Sequence, residues 1–250
     1  MTTDRGLDFE QHNRRQVRYF ERAGKEAMKP VDSPYVSRQV DELVRFAELR
    51  PGARVLDVGC GMGRYTFPLL ARGLTVEGLD LSPALLDQLE RHNAGRYDIP
   101  LHCLDVLEAP STLAERFVGV VGFFTLHHLH DLRASFAAMA RLVVPGGCVV
   151  FLEPNPFNPL YYVQIAVSPG MTWAGDKGIL QMRPGAVFPA MRASGLVELD
   201  VARFGFFPPF VANRSWGSRA ERVLERFPLW RRLLPFQLFR GTGPNARSGG

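Results

Sequence analysis

Residues Val55-Leu56-Asp57-Val58-Gly59-Cys60-Gly61-Met62-Gly63 run from a short apolar strand pattern straight into glycines at every second position. Few chain segments restrict a fold more. Glycine reaches positive φ at no steric cost and lets a ligand touch the main chain, so a buried strand is expected to turn sharply there into a helix. The N–H groups at that helix start would face a carboxylate, a phosphate or a polar ligand.

The pattern around this loop repeats as strand, helix, strand. Strands are expected at 54–58, 74–79, 101–104, 118–124 and 148–152, with helices at 63–71, 82–92, 111–116 and 132–143 between them. Ser82 followed by Pro83 reads as an N-cap and first helical position, and Pro145-Gly146-Gly147 as the turn before the fifth strand. Strands joined by helical crossovers of this length imply a parallel sheet covered on both faces, with ligands beyond the C-terminal strand ends. A sixth strand is expected at 196–204 and a seventh, antiparallel, edge strand at 236–240. The fold class is therefore α/β, a doubly wound, seven-stranded, mostly parallel sheet. Residues 1–50 carry helical patterns and read as a helical lid, residues 51–241 as the ligand-binding domain, and 242–250 as a tail.

Aspartates recur at the strand ends. Asp57 closes the first, Asp80 the second and Asp105 the third. A carboxylate about 20 residues beyond a glycine loop can accept both hydroxyls of a ribose, and one at the next strand can bond an adenine amino group, which favours a nucleoside ligand. A nicotinamide dinucleotide fits less well, because the third glycine of its fingerprint would fall on Arg64.

With DVGCGMG in place, LDLSP after the second strand, LDV after the third, TLHHLHD after the fourth and PGG before the fifth complete the order. Over residues 50–155 the chain resembles a class I S-adenosylmethionine-dependent methyltransferase of the broad small-molecule (type 11) group, with its Rossmann-like sheet. The resemblance implies that Asp57, Gly59, Cys60, Gly61 and Gly63 hold the methionine end of S-adenosyl-L-methionine. It further implies that Asp80 and Leu81 hold the ribose, that Asp105 and Val106 hold the adenine, and that Gly122 and Phe123 pass beneath the cofactor. One departure is Val118, where such enzymes commonly carry aspartate.

A sulfonium is already a good leaving group, so the protein has chiefly to align the partners and exclude water. A base is needed only when the acceptor must lose a proton. His127 and His128 follow the fourth strand, and His128 is the preferred candidate, although histidines there can serve only to shape the pocket. Glu153 ends the fifth strand and could take a proton, orient an acceptor or bond loop N–H groups. Tyr19, with Phe20 and Tyr35, could close over the methyl group from the lid, or the aromatics could simply dock those helices. An aromatic-rich insertion at 155–182, with Tyr161, Tyr162 and Trp173, is expected to build a pocket for a ring or acyl chain.

Composition settles fewer questions. The net charge of +5 is concentrated between Arg214 and Arg240, where seven arginines face Glu221 and Glu225. The overlapping segment 206–235 also carries Phe206, Phe207, Phe210, Trp216, Phe227 and Trp230. The simpler expectation is an amphipathic helix packed on the sheet with solvated arginines. Peripheral contact with an anionic membrane is the alternative. Cys60, Cys103 and Cys148 are odd in number and read as reduced core residues, and no metal cluster is expected, although Glu153 with Asp131 stays open. No stretch suggests a membrane span or a signal peptide, so a cytoplasmic protein is expected. Nucleic acid is a poor partner, because the base-holding motif of such enzymes would sit where Phe123-Phe124-Thr125-Leu126 stands. The expected function is methyl transfer to oxygen, nitrogen or carbon of a small, apolar or aromatic acceptor. An RNA methyltransferase and a non-catalytic cofactor-binding regulator remain the rivals.

Overall fold

The computed structural model describes residues 11–18, 28–162 and 177–244. Tyr19, Phe20 and half of the 155–182 insertion, residues 163–176 with Trp173, lie outside the described residues.

Helical backbone at 11–18 precedes α1 (Pro34–Phe46), β1 (Arg54–Val58), α2 (Thr66–Ala71), β2 (Thr75–Asp80), α3 (Pro83–Asn93) and β3 (Leu101–Cys103). There follow α4 (Pro110–Leu113), β4 (Phe117–Phe123), a 3-10 turn at Leu126–His128, α5 (Leu132–Leu142) and β5 (Val143–Pro154). The chain ends with α6 (Pro184–Ala193), β6 (Val197–Phe204), α7 (Pro209–Ala212), α8 (Ser215–Leu224) and β7 (Phe236–Thr242). Three helix starts follow from local chemistry. Ser33 and Ser82 cap α1 and α3 just ahead of Pro34 and Pro83, and the Asp131 carboxylate accepts the Ala134 N–H at 3.0 Å to cap α5.

The seven strands run β3-β2-β1-β4-β5-β7-β6. Pairing is parallel from β3 through β5, and β7 is antiparallel to both β5 and β6. The seventh strand is thus not at the edge. It lies between β5 and β6, so its backbone groups are paired on both sides, and Leu238 and Phe239 are buried. The strand order reverses between β1 and β4, which opens the ligand crevice of such sheets at that point.

Side chains alternate between two buried faces. Leu56, Val120, Val149 and Phe151 pack with Phe136 and Met139 of α5 and Val187 and Met191 of α6. Val55, Val121, Val150 and Leu152 face the other way, onto Val40 and Leu43 of α1 and Leu69 of α2. Helix α1 therefore belongs to a covering layer of the sheet. Cys60 and Cys148 are buried as expected, but Cys103 is exposed, because β3 is an outer strand with one neighbour.

Helix α8 departs most from expectation. An amphipathic helix packed on the sheet would turn Trp216 and Val223 inward, yet it is Gly217 and Glu221 that are buried. The physical reason is Arg38 of α1, whose guanidinium pairs with both Glu221 and Glu225, the latter at 2.7 Å. The same carboxylates accept the N–H groups of Gly205, Phe206 and Phe207. These charge-assisted bonds fix the polar side of α8 against the protein.

Candidate active site

Three chain segments meet where β1 and β4 diverge. The first is the glycine loop, with φ of 73° at Gly59, 51° at Gly61 and 90° at Gly63. A Cβ on Gly59 would lie 2.4 Å from the Thr125 side chain, so the loop can only pass the β4 exit as glycine. Against the same loop stands Met28, whose methyl would be 3.1 Å from a Cβ on Gly61.

Two carboxyls lie beneath, Asp57 buried and Asp80 half-buried. Asp57 is within β1 and receives the Thr66 hydroxyl at 2.7 Å. Burial pushes its carboxyl up to about 7, with the Thr66 bond opposing and the nearby Asp80 adding to the rise. Asp80 is also pushed up by burial, against the pull of the Ser82, Gly61 and Leu81 N–H groups. It accepts the Gly61 and Ser82 N–H groups at 2.9 Å each, one per oxygen. A carboxylate offers about four lone-pair positions, so acceptor capacity remains beside these N–H groups for a hydroxyl.

Asp105 lies two residues beyond β3 rather than at its end. One of its oxygens accepts the Leu107 N–H at 2.9 Å and the other the Asn13 side-chain amide. The 11–18 helix reaches further, since His12 donates to the His128 carbonyl at 2.9 Å and its ring meets His130 edge-on. It thereby bridges the ends of β3 and β4 over the crevice. Neighbouring Val106 is buried in the core, and Cys60 packs with Leu86 and Leu89. Leu81 is half-buried at the β2 exit. Gly122 has a packing reason of its own, because a Cβ there would meet the Phe151 ring at 2.2 Å. Phe123 stacks on Tyr65 with ring centroids 4.3 Å apart.

At the β4 exit the two histidines differ. The His127 Nδ1 lies 2.5 Å from one Glu153 oxygen, and the other Glu153 oxygen accepts the Leu126 N–H at 2.7 Å. Both side chains are buried. His128 is half-buried, with its ring centroid 4.0 Å from that of His127. Glu153 is thus committed to His127 and not to His128. Sequence spacing placed all three at one rim without pairing them, since they are 26 residues apart across α5. Asn13, Thr66 and Tyr65 were missed, and no motif singles them out, whereas Thr125 opens the TLHHLHD motif but was given no role. Asp131 is spent on its helix cap, apart from Glu153, and no group of three or more metal-ligating side chains gathers among the described residues.

The donor set suits S-adenosyl-L-methionine. Among the described residues neither Asp57 nor Asp80 has a cationic partner, and a bound ammonium or sulfonium would supply the charge that burial denies them. The spare acceptor positions of Asp80 match a ribose, and Asp105 already takes an amide N–H as it would an adenine amino group.

Comparison with known proteins agrees. Residues 55–147 match the family model of a methyltransferase domain. A ubiquinone biosynthesis O-methyltransferase from Alkalilimnicola ehrlichii is 35% identical over 115 residues, 45% of this chain and 47% of that protein. The chain spans about half the length of the curated relatives it matches. Among solved structures, the Haemonchus contortus phosphoethanolamine N-methyltransferase 2 in complex with S-adenosyl-L-methionine has a TM-score of 0.59 at 18% identity, covering 83% of this chain and 53% of that one. The [4+2]-cyclase SpnF has a TM-score of 0.60 at 17% identity, covering 84% and 81%, so the fold by itself does not fix a reaction. Residues 55–147 are thus similar to a methyltransferase domain, on a sheet whose order is that of the Rossmann-like methyltransferase fold.

Proposed function

We propose that this protein methylates a hydroxyl group of a small, amphiphilic aromatic acceptor. The observation that carries this reading is the buried Glu153–His127 pair at the β4 exit. A hydroxyl must lose its proton as the methyl group arrives, whereas an acceptor that carries no such proton needs no base. When bound, the cofactor supplies a methyl group activated by a sulfonium.

The protein's own residues supply the rest. Glu153 is anchored by the Leu126 N–H and accepts from His127 Nδ1, which leaves Nε2 as the basic nitrogen. His127 is the proposed base, taking the acceptor proton on Nε2, and Glu153 is a positioning residue that fixes its tautomer and ring. This moves the role from His128, whose carbonyl instead anchors the 11–18 helix. Asp57, Asp80, Asp105 and the glycine loop are proposed to hold the cofactor, and the 11–18 helix to cover it. Tyr19, next in the chain after residue 18, keeps its proposed part beside the methyl group.

The name of the curated relatives, ubiquinone biosynthesis O-methyltransferases, favours oxygen and a ring-bearing acceptor. Incubation with cofactor labelled in the methyl group, followed by extraction of phenolic small molecules, lipids and RNA, tests the proposal. Label is expected in a base-stable methyl ether of a phenolic acceptor. Label confined to RNA, or cofactor binding with no transfer to any hydroxyl-bearing acceptor, would overturn it.

A further inference from the structure

We propose that residues 206–235 form a face that docks on an anionic lipid bilayer and delivers an amphiphilic acceptor to the adjoining site. The first observation is an inverted helix. On a 100° per residue wheel, Ser215, Trp216, Arg219, Arg222 and Val223 fall within about 120°, and all are exposed, as is Arg226 just past the helix end. Gly217, Glu221 and Leu224 lie on the opposite side.

The second observation concerns charge. The segment holds two acids, Glu221 and Glu225, and both are turned inward onto Arg38 and the backbone of residues 205–207. The outer face therefore keeps Arg214, Arg219, Arg222, Arg226, Arg231 and Arg232 exposed with no acid of the segment beside them. A net charge of +4 over 209–233, six arginines less two glutamates, becomes an outward charge of +6, because neither acid is exposed.

Thirdly, large apolar side chains share this surface. Leu229 is 79% exposed, Phe210 75% and Trp216 59%, with Phe227 and Trp230 also in solvent. Aromatic and leucine side chains among arginines are the composition of an interfacial segment, in which rings enter the headgroup boundary and guanidinium groups meet lipid phosphate. A protein partner with an acidic surface would match the charge but not an apolar surface of this extent. A second copy of the chain would set these arginines against their own kind.

The face also joins the active-site rim. The side-chain amides of Asn155 and Asn158 donate to the carbonyls of Arg232, Leu233 and Leu234 at 2.6–2.9 Å. Asn155 lies two residues beyond Glu153, and exposed Phe157 and Leu160 extend the apolar surface from the same loop. An acceptor drawn from the bilayer would enter here. The acceptor class rests on the function proposed above, but the docking face does not.

Flotation of the full chain with vesicles of phosphatidylcholine alone, and of equal phosphatidylcholine and phosphatidylglycerol, separates these readings. Binding is expected only to the anionic vesicles and should weaken as salt rises. The Arg219→Gln/Arg226→Gln double variant should lose about thirty-fold in partitioning, from roughly 1 kcal/mol per basic residue at such a surface. Trp216→Ser with Leu229→Ser should weaken binding at every salt concentration. All four side chains are exposed, so unfolding midpoints and transfer to a water-soluble acceptor should not change. Absence of flotation, equal binding by the arginine variant, or a sedimenting dimer dissolved by the Trp216 and Leu229 changes would each overturn the proposal. Failure of methyl transfer with vesicle binding intact would instead count against the proposed function alone.

Discussion

Cofactor affinity should depend on pH through Asp57. Its carboxyl is raised to about 7 by burial, so near pH 6 about one molecule in ten carries it ionised, against about nine in ten near pH 8. A cationic ligand group beside Asp57 and Asp80 favours the ionised form, so the site must release a proton before or as it binds. Apparent affinity should therefore be about tenfold weaker near pH 6 than near pH 8, with up to one proton released per cofactor on the acid side. Titration calorimetry in buffers of different ionisation enthalpy measures both quantities. The Asp57→Asn variant keeps an acceptor for the Thr66 hydroxyl and should flatten the dependence. The sign for the free protein is opposite. A carboxyl raised in the folded state contributes stability below its ordinary range, near 4, and loses it as pH climbs to about 7. Denaturant unfolding of the free protein should show a matching downward trend that Asp57→Asn removes. Affinity that is level from pH 6 to pH 8, with no proton release, would refute the reasoning.

Other changes test other parts of the structure. Glu153→Gln can still accept from His127 but removes the charge that stabilises its protonated ring, so the methylation rate should fall by about a hundredfold with cofactor affinity intact. A His127→Ala variant should fall at least as far and His128→Ala much less. Gly59→Ala places a Cβ against Thr125 at positive φ and should lower stability by about 1–2 kcal/mol or more, read by chemical unfolding. Arg38→Met leaves Glu221 buried without its cation and should cost about 3–5 kcal/mol, moderated by the N–H groups of Phe206 and Phe207.

Much of this molecule could be read from the chain because its signals are local. A buried strand, a glycine turn and a capped helix lie within a dozen residues, so the alternation from Arg54 to Leu152 and the serine and proline helix starts appear directly in composition and period. The same holds for the strand-end aspartates, whose spacing reflects the length of one strand-helix repeat. Boundaries slipped where a local preference competed with pairing. Helix α2 begins at Thr66 and not at Gly63, because the positive φ of Gly63 is incompatible with a right-handed helix. Strand β5 begins at Val143, ahead of the expected turn, because Val143 already pairs with Phe117.

Sequence alone determined the repeat, the glycine turn and the carboxylates at the strand ends, since each depends on neighbours along the chain. Only the tertiary structure decided which histidine Glu153 holds, that β7 lies inside the sheet, and which way α8 faces. Those choices rest on partners far apart in sequence, 26 residues for Glu153 and His127 and 183 for Arg38 and Glu221. No local propensity reports such pairings, because a buried charge takes its orientation from the counter-charge or N–H group that the fold brings beside it.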